Sequence, residues 1–227
     1  MPSDPLPIRA VVFDAYGTLF DVQSAAAEVK DALGPRWQPL AELWRTKQLQ
    51  YTWLRSLAGK HADFWQVTGE ALDFAMESLG ISGAGLRERL MSAYERLGAY
   101  PEARAALIAL RAAGKKVAIL SNGSPRMLAQ AAANARFLDL LDLVLSIEEV
   151  GIYKPHPSVY RLATDRLGLW PAEILFVSSN GWDAFGAAAF GFQVAWCNRA
   201  GAPRERLPAA PAHELRTLEE LPPLVVR

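Results

Sequence analysis

The chain has 227 residues, of which 51% are hydrophobic and 21% are charged, so it fits one large globular domain or a domain with an insertion. Its 24 basic residues equal its 24 acidic residues, and this balance gives no support to a nucleic-acid or membrane partner. The single cysteine, Cys197, excludes an internal disulfide and agrees with a reducing compartment. We find no signal-peptide pattern at the N-terminus and no apolar run long enough for a membrane helix, and we therefore expect a cytoplasmic protein.

The first predicted element is a buried strand, the apolar run of residues 10–13, which ends at the carboxylate of Asp14. Gly17 and Thr18 favour a tight turn directly after it. Asp14 therefore lies where a central parallel strand ends, and ligands of open α/β sheets bind at that edge. By itself, the stretch also fits a turn residue or the cap of a following helix.

Helices and no strand are predicted for residues 24–97. The longest helix, residues 39–57, has apolar side chains mostly on one face at helical spacing. Because this block follows a single strand, we interpret it as a helical insertion. The apolar face comprises Leu40, Leu43, Trp44, Tyr51, Leu54 and Leu57, and the line beside it comprises Arg45, Leu49 and Trp53. The other predicted helices are residues 24–33, capped by Ser24 and ended by Gly34 and Pro35, residues 62–79 and residues 86–97.

From residue 101 onwards, strands and helices alternate. Short apolar strands separated by helices predict a parallel sheet with helices on both faces, and the strand of residues 10–13 belongs to the same sheet. The tail, residues 200–227, predicts a loop with a short closing segment. The predicted strands are residues 116–120, 143–145, 174–177 and 193–196, and the predicted helices are residues 102–113, a helix beginning near Pro125, residues 157–167 and residues 182–190.

Four polar clusters follow these strands or close a loop near them, and a parallel sheet would gather all four at one edge. The helix beginning near Pro125 directs free backbone N–H groups to the same edge, which suits an anion. Taken singly, each cluster also fits a turn, a solvated lysine or a helix cap, but their joint placement favours a functional site. The clusters are residues 14–18, residues 121–124, Lys154 with Pro155, and residues 178–183.

The chain contains, in this order, Asp14 and Thr18, Ser121 and Asn122, Lys154 and Pro155, and Asp183. This order resembles the haloacid dehalogenase superfamily, many members of which are phosphatases with an aspartate nucleophile and magnesium. Two positions that are usually acidic in those phosphatases are Tyr16 and Ser179 here. Magnesium prefers several carboxylate oxygens, and this site offers only Asp14 and Asp183, with Lys154 as a compensating cation. Metal-assisted phosphoryl transfer is therefore disfavoured, and we expect no metal and no other cofactor.

A narrower resemblance rests on several stretches of the sequence. They are DAYGTLFD at residues 14–21, LWR, KQL and YTWLR within residues 43–55, Lys154 and Pro155 with Val159 and Tyr160, and Ser178, Ser179 and Asn180 with Trp182 and Asp183. Over residues 10–196 the chain is similar to the L-2-haloacid dehalogenases of that superfamily. The resemblance implies a Rossmann-like parallel sheet core, residues 1–20 and 98–227, with helices on both faces. It also implies an all-helical cap, residues 21–97, inserted after the first strand.

The resemblance implies hydrolytic removal of halide from short-chain (S)-2-haloalkanoic acids, which gives (R)-2-hydroxy acids. An unperturbed aspartate has a pKa of about 3.9 and is ionised at neutral pH. In this reaction Asp14 attacks the carbon that bears the halogen and forms an ester on the enzyme. Water then attacks the ester carbonyl carbon, with Asp183 as the base and Lys154 and Asn180 positioning the water.

Arg45 is the candidate for the positive charge that a departing halide needs, and the resemblance adds Asn180. Without its surrounding motif, Arg45 would equally fit a surface arginine on an amphipathic helix. Ser121, Asn122 and nearby backbone N–H groups are candidates to hold the substrate carboxylate. Lys154 is expected to balance the charges of the two carboxylates. The further catalytic candidates are Thr18, Tyr160 and Ser178, which are expected to bond around these carboxylates, and the further substrate contacts are Ala15, Tyr16, Leu49, Phe64 and Trp182.

The expected partners are the haloacid, halide and water, with neither nucleic acid nor a membrane. The resemblance implies a homodimer through the helical insertion, although the apolar and aromatic content of residues 37–65 fits a cover over the active site equally well. Three other functions stay open: a magnesium-dependent phosphatase, a non-catalytic binding protein with the same fold, and a defluorinase acting on fluoroacetate. The last would require a tighter halide pocket, since fluoride is small and a poor leaving group.

Overall fold

The computed structural model describes residues 7–225 of the chain. Residues 1–6, on which the expectation about a signal peptide rests, and residues 226–227 at the end of the tail lie outside the described residues. Within residues 7–225, no helix is both long and apolar enough to cross a membrane. The strands are β1 (Ala10–Phe13), β2 (Lys116–Ser121), β3 (Leu143–Ser146), β4 (Ile174–Ser178), β5 (Gln193–Cys197) and β6 (His213–Leu215).

These six strands form one parallel sheet in the order β3-β2-β1-β4-β5-β6. Strand β1 lies at the centre, where Val12 pairs with Ala118 of β2 and with Phe176 of β4. All four β1 residues are fully buried, as expected for a central parallel strand covered on both faces. Asp14 directly follows β1, and its N–H donates to the carbonyl of Val177 at 2.9 Å. The Asp14 side chain therefore starts at the carboxyl edge of the sheet, near its centre.

Ten α-helices accompany the sheet in the described part of the chain, and the predicted α/β class is confirmed. The helix of residues 157–167 has the predicted bounds. Most other predicted helices and strands differ from the structure by one or two residues at their ends. The helices are α1 (Ser24–Ala27), α2 (Lys30–Leu33), α3 (Trp37–Ala58), α4 (Phe64–Ser78), α5 (Leu86–Glu95), α6 (Ala103–Ala112), α7 (Pro125–Asn134), α8 (Pro157–Leu167), α9 (Gly181–Phe190) and α10 (Leu221–Val225).

The single helix predicted for residues 24–33 is wrong, because the chain forms the two short helices α1 and α2 there. Val29, between them, has a φ of −111° and a ψ of 18°, and its side chain is buried in the core, so packing overrides helical continuity. Ser24 does not cap α1, because its hydroxyl donates to a backbone carbonyl three residues earlier. Gly34 ends α2 as predicted, while Pro35 lies in a short 3-10 turn that leads into α3.

The buried face of α3 also differs from the prediction. Burial follows a four-residue repeat through Leu40, Trp44, Gln48 and Thr52, two of which are polar. Leu57, assigned to the apolar face, is 85% exposed. The reason is that both polar members have hydrogen-bond partners, so the stripe does not have to be apolar: Gln48 bonds side chains of α4 and α5, and Thr52 donates to a carbonyl of α3 itself.

The tail contains more structure than predicted. Helix α10 provides the closing segment, and β6 adds a strand at the sheet edge, where Trp196 of β5 pairs with Glu214. A three-residue edge strand is too short to show an alternating pattern in the sequence, and it was therefore missed. Cys197, at the end of β5, is buried and free, as its apolar neighbours predicted.

Candidate active site

The Asp14 carboxylate is the centre of the site and is held at both oxygens. Asp14 is only 6% exposed. Its Oδ2 accepts hydrogen bonds from Thr18 Oγ1 at 3.0 Å and from Asn180 Nδ2 at 2.8 Å, and its Oδ1 accepts from Lys154 Nζ at 3.0 Å. Thr18 Oγ1 itself accepts from the N–H of Ser179 at 2.8 Å, so its one hydrogen is directed at Asp14. The carboxylate is therefore fixed in one orientation and largely shielded from solvent.

The loop after β1 gives Asp14 this orientation. The carbonyl of the fully buried Ala15 accepts the N–H groups of residues 18–20 in a compact turn. Gly17 has a φ of 91°, a backbone conformation that favours glycine, and a Cβ there would lie 3.8 Å from the Asn180 side chain. The turn predicted at this position is confirmed.

The Lys154 ammonium lies between two carboxylates. Its Nζ is 3.0 Å from Asp14 Oδ1 and 2.9 Å from Asp183 Oδ2, and the residue is 1% exposed. Burial alone would lower the pKa of Lys154, but the charges of Asp14 and Asp183 outweigh this effect and raise the pKa. Lys154 is therefore a permanent cation at neutral pH, in the position between the two acidic groups.

Asp183 is fully buried at the first turn of α9 and faces Tyr160 of α8. The Tyr160 hydroxyl donates to Asp183 Oδ1 at 2.8 Å. Burial raises the pKa of Asp183, and the charge of Asp14 adds to it, although Lys154 and Tyr160 act in the opposite direction. Burial and the Asp183 charge also raise the pKa of Tyr160, which stays a protonated donor. Asp183 is thus a stronger base than an exposed aspartate.

Ser121 and Asn122 lie beside Lys154 at the end of β2 and carry unused donors. The Ser121 hydroxyl accepts from the N–H of Gly123 at 3.1 Å, and Asn122 Oδ1 accepts from the N–H of Lys154 at 3.2 Å. Within residues 7–225, neither the Ser121 hydroxyl hydrogen nor the Asn122 amide nitrogen has an acceptor. Helix α7 begins a few residues later, so its free backbone N–H groups add to a region suited to a carboxylate.

Arg45 reaches the site from α3 and meets Asn180 there. Its NH2 group donates to Asn180 Oδ1 at 3.1 Å and to the carbonyl of Tyr16 at 3.4 Å. Asn180 Nδ2 in turn bonds Asp14 Oδ2, so one amide links the guanidinium to the carboxylate. Ser178 differs from the prediction, because its hydroxyl accepts from the Asn180 N–H at 3.1 Å and shapes that loop instead of bonding the carboxylates.

The haloacid dehalogenase-like hydrolase family model matches residues 8–191. The protein (S)-2-haloacid dehalogenase 1 of Pseudomonas sp. strain CBS-3 is 50% identical over 222 residues, which cover 97% of this chain and 98% of that protein. The chain belongs to the haloacid dehalogenase-like hydrolases, in the family of the (S)-2-haloacid dehalogenases. It is therefore an enzyme, a hydrolase, and the resemblance drawn from its motifs is confirmed.

Solved structures of the dehalogenase family agree with this assignment. The crystal structure of a dehalogenase that is 48% identical has a TM-score of 0.95 and covers 97% of this chain and 98% of that chain. The L-2-haloacid dehalogenase of Xanthobacter autotrophicus, solved with chloropropionic acid covalently bound, is 43% identical. Its TM-score is 0.88, over 96% of this chain and 98% of that chain.

Tyr16 forms the aromatic side of the site in this dehalogenase-family hydrolase. Its ring centroid lies 5.7 Å from that of Phe64 and 5.6 Å from that of Tyr94. Burial, then the nearby Tyr94 and the Asp14 charge, raise the pKa of Tyr16 well above its usual range, so the phenol stays neutral. A Cβ at Gly123 would lie 2.6 Å from Tyr16 Cε2, and only glycine fits at that point of the loop.

The other predicted apolar contacts of the dehalogenase-family site lie on α3 and α9. Trp182 packs its ring edge-on against Trp53, with 5.4 Å between centroids. The buried indole N–H groups of both residues lack a hydrogen-bond partner within residues 7–225. Leu49 is half-buried, one turn after Arg45 on α3. Trp53 was not among the predicted contacts, although it lies on the same line of α3.

Two buried polar residues beside Arg45 were also missed in this hydrolase. Gln48 Oε1 accepts from Arg45 NH1 at 2.7 Å, and the hydroxyl of Tyr94 lies 3.1 Å from Gln48 Nε2. The sequence signal for Gln48 was its four-residue spacing from Trp44 on the buried stripe of α3. A polar residue at a buried position requires a hydrogen-bond partner. An analysis of apolar spacing alone does not consider this requirement, and Gln48 was therefore missed.

Proposed function

We propose that the protein hydrolyses short-chain (S)-2-haloalkanoic acids to (R)-2-hydroxy acids through a covalent ester on Asp14. The observation that carries the proposal is the buried Asp14 carboxylate, held at both oxygens by Thr18, Asn180 and Lys154 and linked through Asn180 to Arg45. A carboxylate that is oriented and poorly solvated is a suitable carbon nucleophile. The covalent chloropropionate in the Xanthobacter autotrophicus relative supports the same intermediate here.

In the first step, an Asp14 oxygen attacks C2 of the substrate from the side opposite the halogen. The new C–O bond forms as the C–halogen bond breaks, and the halide leaves with the bonding electrons. Arg45 and Asn180 supply the positive charge and N–H donors that stabilise this developing anion. Attack from the opposite side inverts C2.

In this proposal, Ser121 and Asn122 orient the substrate. Their unused hydroxyl and amide hydrogens, together with the N-terminus of α7, are donors for the substrate carboxylate. Holding that carboxylate fixes C2 relative to Asp14. The aromatic rings of Tyr16, Phe64 and Trp182 exclude water around the reacting atoms.

In the second step, water attacks the carbonyl carbon of the Asp14 ester, and Asp183 takes the proton. The raised pKa of Asp183 favours this base function. Lys154 stabilises the oxyanion that forms on Asp14, since its Nζ already contacts Oδ1. The bond between C2 and oxygen stays intact in this step, so the whole reaction includes one inversion and gives the (R)-hydroxy acid.

The residues at two positions of the site support dehalogenation over the magnesium-dependent phosphatase alternative. Tyr16 and Ser179 lie where those phosphatases usually have acidic residues, and Lys154 already pairs with the two carboxylates that remain, Asp14 and Asp183. Within residues 7–225, no group of three or more His, Cys, Asp or Glu side chains is arranged to hold a metal ion. The site thus offers fewer carboxylates than magnesium prefers, and we propose a reaction without metal or other cofactor.

The decisive test is halide release from each enantiomer of 2-chloropropionate in excess chelator. The proposal expects release from the (S)-enantiomer alone and (R)-lactate as the product. A single turnover in H₂¹⁸O should give lactate whose new hydroxyl is unlabelled, because that oxygen comes from Asp14. No release from either enantiomer, nor from bromoacetate, would contradict the proposal, and a phosphate ester with magnesium would then be tested.

We also propose that residues 21–97 form the cap, that residues 1–20 and 98–227 form the core, and that the protein is a cytoplasmic homodimer.

The dimer is supported by exposed apolar side chains on the adjacent helices α3 and α4: Leu54 is 53% exposed and Phe74 is 39% exposed. Light scattering after gel filtration measures the mass in solution. A monomer of 24.9 kDa would contradict the dimer and leave the proposed reaction intact.

A further inference from the structure

A guanidinium that assists a departing halide must keep its positive charge and point in one direction. Arg45 donates to three neutral oxygens: Gln48 Oε1 at 2.7 Å, Asn180 Oδ1 at 3.1 Å and the Tyr16 carbonyl at 3.4 Å. Within residues 7–225, it forms no ion pair with a carboxylate. Neutral acceptors orient the guanidinium without cancelling its charge, which stays available to an anion.

The fold fixes which end of the Gln48 amide faces Arg45. Gln48 is 1% exposed, and its Nε2 donates to Thr68 Oγ1 at 2.7 Å and to the Tyr94 hydroxyl at 3.1 Å. The Thr68 hydroxyl donates its own hydrogen to the Phe64 carbonyl at 2.6 Å, so towards Gln48 it acts only as an acceptor. A flipped amide would direct oxygen at that acceptor and NH₂ at the guanidinium, losing both bonds. The amide oxygen therefore has to face Arg45.

Asn180 has the same arrangement on the other side of the guanidinium. Its amide oxygen accepts from Arg45, and its amide nitrogen donates to Asp14 Oδ2. The two amide oxygens thus hold Arg45 between α3 and the loop after β4. On the α3 side, Gln48 accepts from Arg45, and α4 in turn holds Gln48 through Thr68.

We propose that Gln48 is a positioning residue that holds the Arg45 guanidinium, still fully charged, where the halide departs. The inference rests on the proposed dehalogenation and identifies the residue that sets the strength of its leaving-group assistance. Chloride is a poorer leaving group than bromide and depends more on that assistance. Weaker positioning of Arg45 should therefore slow chloride departure more than bromide departure, whereas general structural damage would slow both equally.

The test measures kcat/KM with (S)-2-chloropropionate and (S)-2-bromopropionate. Gln48→Met keeps the side-chain length but removes the acceptor, and a lost bond to a charged group lowers kcat/KM for the chloro substrate about 10- to 100-fold. Gln48→Glu places a carboxylate beside Arg45 and neutralises the guanidinium charge. It should lower kcat/KM for the chloro substrate at least as much as Gln48→Met. In both variants the bromo-to-chloro ratio rises. Gln50→Met is the matched control, since Gln50 is an exposed glutamine on the same helix and its side chain accepts from the exposed ammonium of Lys47.

Equal losses of kcat/KM on both substrates in the Gln48 variants, or no loss, would overturn the inference. The proposed function would still stand if the wild-type enzyme is active. A wild-type protein that releases no halide would overturn both. Thr68→Val provides a second variant if the Gln48 variants do not fold, as judged by circular dichroism. It removes the acceptor that fixes the Gln48 amide, and it should raise the bromo-to-chloro ratio in the same direction. An unchanged ratio in Thr68→Val would then refute the positioning role.

Discussion

Replacing Lys154 with methionine removes the cation that lies between the two buried carboxylates of the site. Lys154 Nζ lies 3.0 Å from Asp14 Oδ1 and 2.9 Å from Asp183 Oδ2. Methionine fills a similar volume but leaves both acidic groups uncompensated. Removing one partner of a buried ion pair costs about 3–5 kcal/mol, so we expect the free energy of unfolding to fall by about that amount at neutral pH, and activity to be lost.

The stability that Lys154→Met loses relative to the wild type should increase with pH. Burial already raises the pKa of Asp183 in the wild type, and without the opposing charge of Lys154 this pKa rises further above its unfolded value of about 3.9. The folded variant then binds more protons than its unfolded chain, so its free energy of unfolding falls as pH rises from about 4 through the raised pKa. In the wild type, the raised pKa of Lys154 contributes stability that is fully present below the unfolded lysine pKa of about 10.4.

Urea unfolding of both proteins, followed by tryptophan fluorescence between about pH 5 and pH 8, measures this dependence. Lys60→Met is the matched control, because Lys60 is exposed at the end of α3. The difference between wild type and Lys154→Met should widen with pH, while that of the control stays near zero. Wild-type stability in Lys154→Met, or a difference that is constant with pH, would refute the electrostatic reasoning.

Three further predictions concern single side chains of the site. Asp14→Asn should abolish halide release while keeping the fold, as halide assays and circular dichroism would show; residual turnover at the wild-type rate would contradict the nucleophile. Tyr160→Phe removes the hydrogen bond that lowers the pKa of Asp183, so the acidic limb of the kcat–pH profile should move to higher pH. Gly123→Ala should lower the free energy of unfolding by about 1–3 kcal/mol, because the new Cβ meets an aromatic ring at 2.6 Å. Gly98→Ala is its control, with nothing within 4 Å, and equal thermal midpoints for the two variants would argue against the clash.

The central strand and its following carboxylate were readable from the sequence because each depends on a local property. An apolar run of four residues that ends at Asp14 is best interpreted as a buried strand, because strands and helices alternate later in the chain. Parallel pairing then brings the ends of β1, β2 and β4 to one edge, so the meeting of Asp14, Ser121 and the residue 178–183 loop followed from topology. Helix α8 had the predicted bounds because proline and glycine mark its ends.

Features that depend on contacts between distant segments were not readable in this way. The apolar face assigned to α3 included Leu57, but burial follows Gln48, whose amide is satisfied by side chains of α4 and α5. Ser178 has the predicted position, yet its hydroxyl turns to the Asn180 loop. Strand β6 exists only because β5 offers a free edge to three residues of the tail.

Most element types, the order of the polar clusters and the family could be predicted, since they depend on residue identity and on spacing along the chain. The sequence did not show which polar groups bond one another and which keep their hydrogen bonds for a ligand. Within residues 7–225, Ser121 and Asn122 keep unused donors, whereas the Gln48 amide bonds Arg45 and Thr68. These pairings depend on the fold because a buried polar group must find its partner in space, and that partner commonly lies far away in sequence.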